Sequence, residues 1–253
     1  WFKNNISPFN SQIKIYNDFF YVVDDSNILN CFSINSGEKK WSYKTGKTLI
    51  KSQKRLSLVI KDNRVIFINT LGDITALDAI TGKLIWQTPT QSRSVYEDAM
   101  FLKISDLVIS DQSILFSNNM NEFFSININS GVLNWKQSVN SSLRPVRIND
   151  FIFTVSEEGY LIIVDFMTGS IIRSTYLFKN LKKKKRLKIR PTGFIVGKKN
   201  IYLSTSIGRL FIVDIKTGNT QSVIKIDNQK ISRPVASKEK LFIVKDNSII
   251  KLN

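Results

Sequence analysis

Few side chains in this sequence could perform chemistry, and most of those are carboxylates. The 253 residues include no histidine and one cysteine, Cys31. Without histidine there is no serine or cysteine triad, and one thiol can form neither an internal disulfide nor a paired-thiol metal site. The acidic residues include the adjacent pairs Asp24-Asp25 and Glu157-Glu158. Carboxylates are ligands for Ca²⁺, but both pairs fall in predicted hairpin turns, where solvated acids are common.

The elements that would position these side chains are short strands, and they recur along the chain. The clearest copy, Leu71 to Trp86, has the pattern of a strand, a turn at Asp78 to Gly82, and a second strand. Its copies align on five glycines at intervals of 45, 49, 38 and 49 residues: Gly37, Gly82, Gly131, Gly169 and Gly218. The first three glycines are each followed, four residues later, by a tryptophan: Trp41, Trp86 and Trp135. Arg173 and Ser222 occupy that position in the last two copies.

This spacing predicts an all-β fold made of propeller blades with four antiparallel strands each. Four of the units begin with a proline that is predicted to open the first strand: Pro8, Pro145, Pro191 and Pro234. No helix longer than one turn is expected. We predict a single domain over residues 1–253, with repeat units at about 7–43, 51–88, 103–138, 144–176, 190–225 and 233–253.

The tryptophans vary together with a second position, six residues before each glycine. That position is small where tryptophan is present (Cys31, Ala76, Ser125) and isoleucine where it is absent (Ile163, Ile212). An indole and a small neighbour can fill one space, and a larger aliphatic side chain can replace them. We therefore expect the two positions to touch, and we expect these tryptophans and the repeat glycines to dock blades rather than bind a ligand.

The net charge of +17 is compatible with an anionic partner and equally with a genome biased towards Lys, Asn and Ile codons. The basic residues are scattered over nearly every repeat, and the aromatic residues fall at core positions, so we expect no nucleic-acid binding. The longest apolar run, Tyr160 to Val164, is far shorter than the roughly 20 residues of a membrane-spanning helix. Because the first residue is Trp1, we expect the sequence to begin inside a longer protein.

The pattern Ala76-Leu77-Asp78 to Thr81-Gly82 and Trp86 resembles the repeat of pyrroloquinoline-quinone (PQQ)-type β-propellers, over essentially the whole chain. Within that superfamily, the C-terminal stretch from Ser232 to Asn253 is similar to the BamB family, scaffold lipoproteins of the outer-membrane β-barrel assembly machinery. The resemblance implies a propeller of eight blades, of which this chain would hold about six. It also implies that the missing N-terminal part supplies the strand that closes the ring and carries the lipid anchor.

From this resemblance we expect a non-catalytic scaffold at the periplasmic face of the outer membrane, with no cofactor. Its partners would be the barrel insertase and unfolded barrel clients. In that family an inter-blade loop binds the insertase through a Leu-Arg-Gly-Glu-Ser-like stretch. The nearest match here lacks the glycine and the acid, and gives as candidate contact residues Leu49, Ile50, Lys51 and Ser52.

A basic run lies in a second, extended inter-blade loop between Lys179 and Arg190: Lys182, Lys183, Lys184, Lys185 and Arg186. It could contact anionic lipid head groups at the membrane periphery or an acidic partner, or it could simply be a solvated loop. Two other functions stay open for the whole chain. One is a PQQ-dependent dehydrogenase, which would need convergent carboxylates for Ca²⁺. The other is a sensor or ligand-binding propeller of a larger protein.

Overall fold

The computed structural model is almost purely β-stranded, which confirms the predicted fold class. It describes residues 1, 7–46, 54–90 and 102–252. These residues form 23 strands and one short helix. The strands are arranged as six antiparallel sheets of three or four strands each. Strands that are consecutive in sequence are neighbours in each sheet, which is the topology of propeller blades. Within the described ranges, no helix has the length and apolar character needed to cross a membrane.

The chain divides into two compact units, and the first, Trp1–Lys136, contains three four-stranded sheets. The first sheet consists of β1 (Lys14–Tyr16), β2 (Phe19–Val23), β3 (Ile28–Ser33) and β4 (Lys39–Lys44). The second consists of β5 (Leu58–Lys61), β6 (Arg64–Ile68), β7 (Ile74–Asp78) and β8 (Leu84–Thr88). The third consists of β9 (Val108–Ser110), β10 (Ser113–Asn118), β11 (Glu122–Asn127) and β12 (Leu133–Gln137).

The second unit, Gln137–Asn253, contains the other three sheets and the helix. Its first sheet has β13 (Val146–Ile148), β14 (Phe151–Val155), β15 (Tyr160–Asp165) and β16 (Ile171–Tyr176), and helix α1 (Lys183–Lys188) follows. Its second sheet has β17 (Pro191–Val196), β18 (Asn200–Thr205), β19 (Arg209–Asp214) and β20 (Thr220–Lys225). Its last sheet has three strands, β21 (Val235–Ser237), β22 (Lys240–Lys245) and β23 (Ser248–Leu252). That the whole chain folds as one domain remains a prediction.

The hydrophobic core of each unit lies between successive sheets. In the first unit, Tyr21 and Leu29 of the first sheet belong to the same buried cluster as Val65 and Phe67 of the second. Because strand residues alternate between faces, Ile66 lies on the opposite side of the second sheet. That side is also apolar, and there Ile66 packs into a cluster with the third sheet. In the second unit an equivalent cluster joins β14 and β15 to β17, β18 and β19. Sheets apolar on both faces are what stacked blades require.

The predicted contact between the tryptophan position and the small-residue position is confirmed within single sheets. Cys31 lies opposite Trp41 in the pairing of β3 with β4, and Ala76 lies opposite Trp86 in the pairing of β7 with β8. Residues directly opposite in an antiparallel pair share a face and touch.

The substituted repeats keep this pairing. Ile163 lies opposite Arg173, and Ile212 lies opposite Ser222.

Two sequence expectations are wrong in detail. The segment predicted as an extended loop with no helix contains α1, because lysine and arginine are good helix formers and the basic side chains in its last turn suit the negative end of the helix dipole. The prediction that a proline opens the first strand of a unit is wrong at Pro8, which lies well before β1. Its carbonyl instead accepts a hydrogen bond from the Asp25 amide, and Phe9 forms a bridge with Asp24. Pro191 opens β17 as predicted.

Candidate functional site

The partner-binding stretch predicted from the sequence, Leu49 to Ser52, lies outside the described residues. The residues that flank it are fixed to the first unit. On one side the Thr45 hydroxyl donates to the Asn27 carbonyl at 3.1 Å. On the other side the Lys54 ammonium donates to the Ile104 carbonyl at 3.2 Å and lies 3.4 Å from the Asp106 carboxylate. Both ends of this inter-sheet connection are therefore anchored by contacts within the first unit.

The repeat tryptophans contact the repeat glycines of the following sheet. Trp41 packs on Gly82, and Trp86 packs on Gly131. A Cβ atom on either glycine would lie 2.6 Å from the indole, and both glycines have a φ near +70°, which side chains rarely adopt. The sequence predicted that both residue types dock blades, but not that each of these tryptophans contacts the glycine of the next repeat.

The same contact includes a regular hydrogen bond. The Trp41 indole N–H donates to the Ala79 carbonyl at 3.2 Å, and the Trp86 indole N–H donates to the Ile128 carbonyl at 3.0 Å. In both cases the acceptor stands three residues before the glycine. Trp1 follows the rule, since it packs on Gly37 and donates to Ile34. A buried indole needs such a partner, so the glycine turn supplies both the space and the acceptor.

In the second unit, an arginine makes the bond that tryptophan makes in the first. Arg173 stands at the tryptophan position, and its Nη2 donates to the Ile215 carbonyl at 3.0 Å, three residues before Gly218. Its Nη1 also donates to the Lys216 carbonyl. The sequence shows that the indole is replaced here. It does not predict that the arginine donates to the equivalent backbone carbonyl.

The other two predicted docking residues have contacts of their own. Trp135 lies edge-to-face against Phe123, with ring centroids 5.4 Å apart. The Gly169 carbonyl accepts a hydrogen bond from the Gln137 side chain at 3.0 Å.

Three of the five glycine turns, those of Gly82, Gly169 and Gly218, are held by an aspartate and a threonine. Asp78 accepts hydrogen bonds from the Thr81 amide at 2.7 Å, the Thr81 hydroxyl at 2.8 Å and the Ile80 amide at 3.1 Å. These bonds, chiefly that from the Thr81 amide, hold the pKa of the Asp78 carboxyl below its ordinary value. Asp165 and Asp214 make the same bonds to Thr168 and Thr217, and their pKa values are lowered for the same reason.

Three of the four carboxylates considered as Ca²⁺ ligands accept hydrogen bonds from nearby backbone or side-chain donors. Asp24 accepts hydrogen bonds from the Ser26 and Ile28 amides, both at 3.0 Å. Glu157 accepts a hydrogen bond from the Ser142 hydroxyl, and Glu158 accepts one from the side-chain amide of Asn140 at 2.5 Å. Across the described ranges, no three histidine, cysteine, aspartate or glutamate side chains converge as a metal site would require. The donor set described here does not suit Ca²⁺ or a quinone cofactor held through it.

The single thiol is also unsuited to chemistry. Cys31 is buried, and burial raises its pKa to about 11. A thiol with this pKa is protonated at neutral pH and is not a nucleophile.

The basic run forms much of α1, and its side chains are exposed to solvent from Lys182 to Lys188. Arg186 differs from the lysines because its guanidinium is tied to the backbone. Its Nε donates to the Leu181 carbonyl at 2.6 Å, and its Nη2 donates to the Lys179 carbonyl. The lysines are therefore left as a cationic surface on a short, locally fixed helix.

Comparison with known structures places this architecture among propellers. BamB from Moraxella catarrhalis matches with a TM-score of 0.80 and 17% identity, over 98% of this chain and 73% of that one. The quinohemoprotein alcohol dehydrogenase from Comamonas testosteroni matches with a TM-score of 0.63 and 12% identity, over 87% and 43%. The C-terminal WD40 domain of Sif2 gives 0.65 and 11%, over 92% and 63%. At these identities the likeness concerns the fold alone.

No curated protein matches the chain at the level of sequence. A family model described as outer membrane protein assembly factor BamB does match, over residues 1–175. That match covers more than half of the sequence and includes four of the five glycine turns described above. The chain belongs to the family of the outer membrane protein assembly factor BamB.

Proposed function

We propose that this protein is a non-catalytic scaffold subunit of the machinery that assembles β-barrel proteins in the outer membrane. The observation that carries the proposal is the family match over residues 1–175. The protein would work at the periplasmic face of the outer membrane, held there by a lipid anchor on its N-terminal part.

The mechanism we propose is presentation of loops by a rigid frame. The repeat tryptophans and glycines would dock successive sheets, and Arg173 would replace tryptophan at one junction. Inter-sheet connections anchored in this way would hold the contact residues Leu49, Ile50, Lys51 and Ser52 for the barrel insertase. Loops positioned by a rigid scaffold are a common way to build a binding site.

The scaffold could also hold unfolded barrel proteins by strand addition. The last strand of several sheets exposes adjacent apolar residues, for example Leu84 and Ile85 in β8, and Ile171 and Ile172 in β16. An exposed strand edge can pair with an extended segment of another chain. A photo-crosslinker placed at Leu84 should capture an unfolded barrel protein but not the same protein once folded. Equal capture of both forms would contradict strand addition.

A quinoprotein dehydrogenase is the alternative suggested by the fold. The likeness to the alcohol dehydrogenase is at 12% identity and concerns the fold alone. The carboxylates of Asp24, Glu157 and Glu158 give no support to a Ca²⁺ site, because each already accepts hydrogen bonds from the protein. We therefore prefer the scaffold, and the experiment below distinguishes the two.

The test is affinity purification of the full-length protein from detergent-solubilised envelopes. We expect the barrel insertase to co-purify, and we expect replacement of Leu49–Ser52 by a Gly-Ser segment to abolish its recovery. The control is Lys238→Asn with Glu239→Gly, an exposed turn between β21 and β22 whose positive φ angles suit Asn and Gly. Absence of the insertase from the wild-type eluate, with binding of PQQ and Ca²⁺ by the purified protein, would establish the enzyme instead.

A further inference from the structure

A basic groove in the second unit combines cationic and apolar side chains. It encloses about 550 Å³, within the size range of known ligand pockets. One wall is α1, which contributes Lys184, Lys185, Lys188 and Leu187. The other wall is formed by Ile207 and Arg209, at the turn that leads into β19, and by Asn228 after β20. We refer to these seven residues as the basic groove.

No carboxylate in the described part of the chain neutralises these cations. Neither the three lysines nor Arg209 forms an ion pair there. Asp227, which precedes the groove residue Asn228, is paired with Lys245 and accepts hydrogen bonds from the backbone amides of Asn228 and Gln229. The groove therefore has a concentrated positive potential, which no ion pair within the described residues neutralises.

Arg209 adds a guanidinium whose hydrogen-bonding capacity the fold does not fully use. Its Nη1 is covered by neighbouring atoms and has no hydrogen-bond acceptor among the described residues. Arg209 also lies directly opposite Lys225 in the pairing of β19 with β20. Like charges opposite each other across a strand pair are unfavourable, and an anion between them would remove the penalty. A guanidinium binds carboxylates in a bidentate manner.

We propose that the basic groove binds an extended acidic peptide segment that also carries an apolar side chain. Spaced cations on two walls match several carboxylates along a chain better than they match one phosphate. Leu187 and Ile207 offer contact to an apolar side chain between those carboxylates. No aromatic residue lines the groove for base stacking, and a concave site fits a flat lipid surface poorly. The groove shares no residue with Leu49–Ser52, and its proposed role does not depend on the scaffold assignment.

The test is fluorescence anisotropy of the full chain with a labelled peptide in which Asp and Glu surround two leucines. We expect Lys184→Glu with Lys188→Glu to weaken binding by about tenfold or more. Both side chains are exposed, so folding should be unaffected. The control, Lys103→Glu with Lys238→Glu, makes the same charge change at exposed sites elsewhere and should alter binding by no more than about twofold. Equal weakening by both pairs, or no binding by the wild type, would overturn the proposal.

Arg209→Gln gives a second, independent measurement. We expect it to weaken peptide binding by about threefold or more without lowering the urea midpoint of unfolding, because it removes a cation opposite Lys225. A fall in the midpoint with unchanged binding would assign Arg209 a purely structural role and contradict the proposal.

Two competitors separate the peptide from other anions. At constant ionic strength, inorganic phosphate and vesicles of phosphatidylglycerol should not displace the labelled peptide, and a peptide with Asn and Gln in place of the acids should not bind. Displacement by phosphate would make the groove a single-anion site. Vesicle binding that is lost in Lys184→Glu with Lys188→Glu would assign it to the membrane. Either result would overturn the assignment to an acidic peptide.

Discussion

At the scale of single residues, the contact between an indole and a glycine explains why both residue types recur together. The glycine provides a left-handed turn and an open face, and the indole fills that face and donates to a carbonyl of the same turn. The glycine therefore cannot be replaced without displacing the large indole that packs on it. The conformation of the glycine turn in one sheet therefore determines which side chain the adjacent sheet can place against it.

Gly82→Ala should destabilise the fold by about 3 kcal/mol. The methyl group would lie 2.6 Å from Trp41, and alanine would have to adopt a φ of +70°. The measurement is urea unfolding followed by tryptophan fluorescence.

The matched control is Gly46→Ala. Nothing lies within 4 Å of a Cβ atom at Gly46, and its φ is not in the left-handed region. We expect its effect to stay within about 0.5 kcal/mol. Equal effects of the two substitutions would contradict the packing that we describe.

The Asp78 carboxylate should make part of the stability dependent on pH. Its pKa lies below the ordinary value of 3.8 in the folded chain, mainly through the Thr81 amide. The turn therefore contributes its full stabilisation above the unfolded-state pKa and loses it as the pH falls through the folded-state pKa. We expect the difference in Tm between wild type and Asp78→Asn to be largest near neutral pH and to shrink below about pH 4.

The control for this prediction is Asp62→Asn, an exposed turn residue whose positive φ asparagine tolerates. Its Tm difference from the wild type should change little over the same pH range. A wild-type advantage over Asp78→Asn that persists unchanged at pH 3 would show that charge on Asp78 does not support the turn.

At the scale of elements, each sheet adjusts its cross-strand pair to the residue that contacts the next sheet. Tryptophan stands opposite a small residue, and Arg173 stands opposite Ile163. Because Ile163 is buried, it fills the volume that an indole would need. The exchange of two residues at once, rather than of one, preserves the packing.

A double-mutant cycle at Ile163 and Arg173 tests this exchange. Arg173→Trp alone should cost about 2 kcal/mol by overpacking, and Ile163→Ala alone about 3 kcal/mol by leaving a cavity. The double variant should cost less than the sum by about 1 kcal/mol or more, because the indole fills the cavity. Urea unfolding of the four proteins measures the coupling. Strictly additive costs would contradict the proposed exchange of volumes.

Much at this scale could be predicted from the sequence, because strand periodicity and turn residues are local signals. The strands, the hairpin turns and the pairing of Ala76 with Trp86 all follow from residues close together in the chain. The contact of Trp41 with Gly82 could not be derived, since it depends on how one sheet packs on the next. Helix α1 was missed because a run of cations has no apolar period, and the structure buries none of its residues.

At the scale of the whole molecule, the family assignment and the packing agree with the scaffold that we propose. Among the described residues, many carboxylates are used in turns or ion pairs and the thiol is buried, while a basic groove is exposed. Function at this scale could be inferred from the sequence only through family resemblance. The basic groove needed the structure, because Lys188 and Arg209 are brought together from different elements.

We propose above all that the protein is a scaffold that binds the barrel insertase. The most direct test of this proposal is sedimentation velocity of the purified full-length protein mixed with the purified insertase in detergent. We expect a complex of fixed stoichiometry that is lost when Leu49–Ser52 are replaced and retained in Lys238→Asn with Glu239→Gly. Two separate boundaries for the wild-type mixture, at concentrations where each protein is folded, would contradict the scaffold assignment.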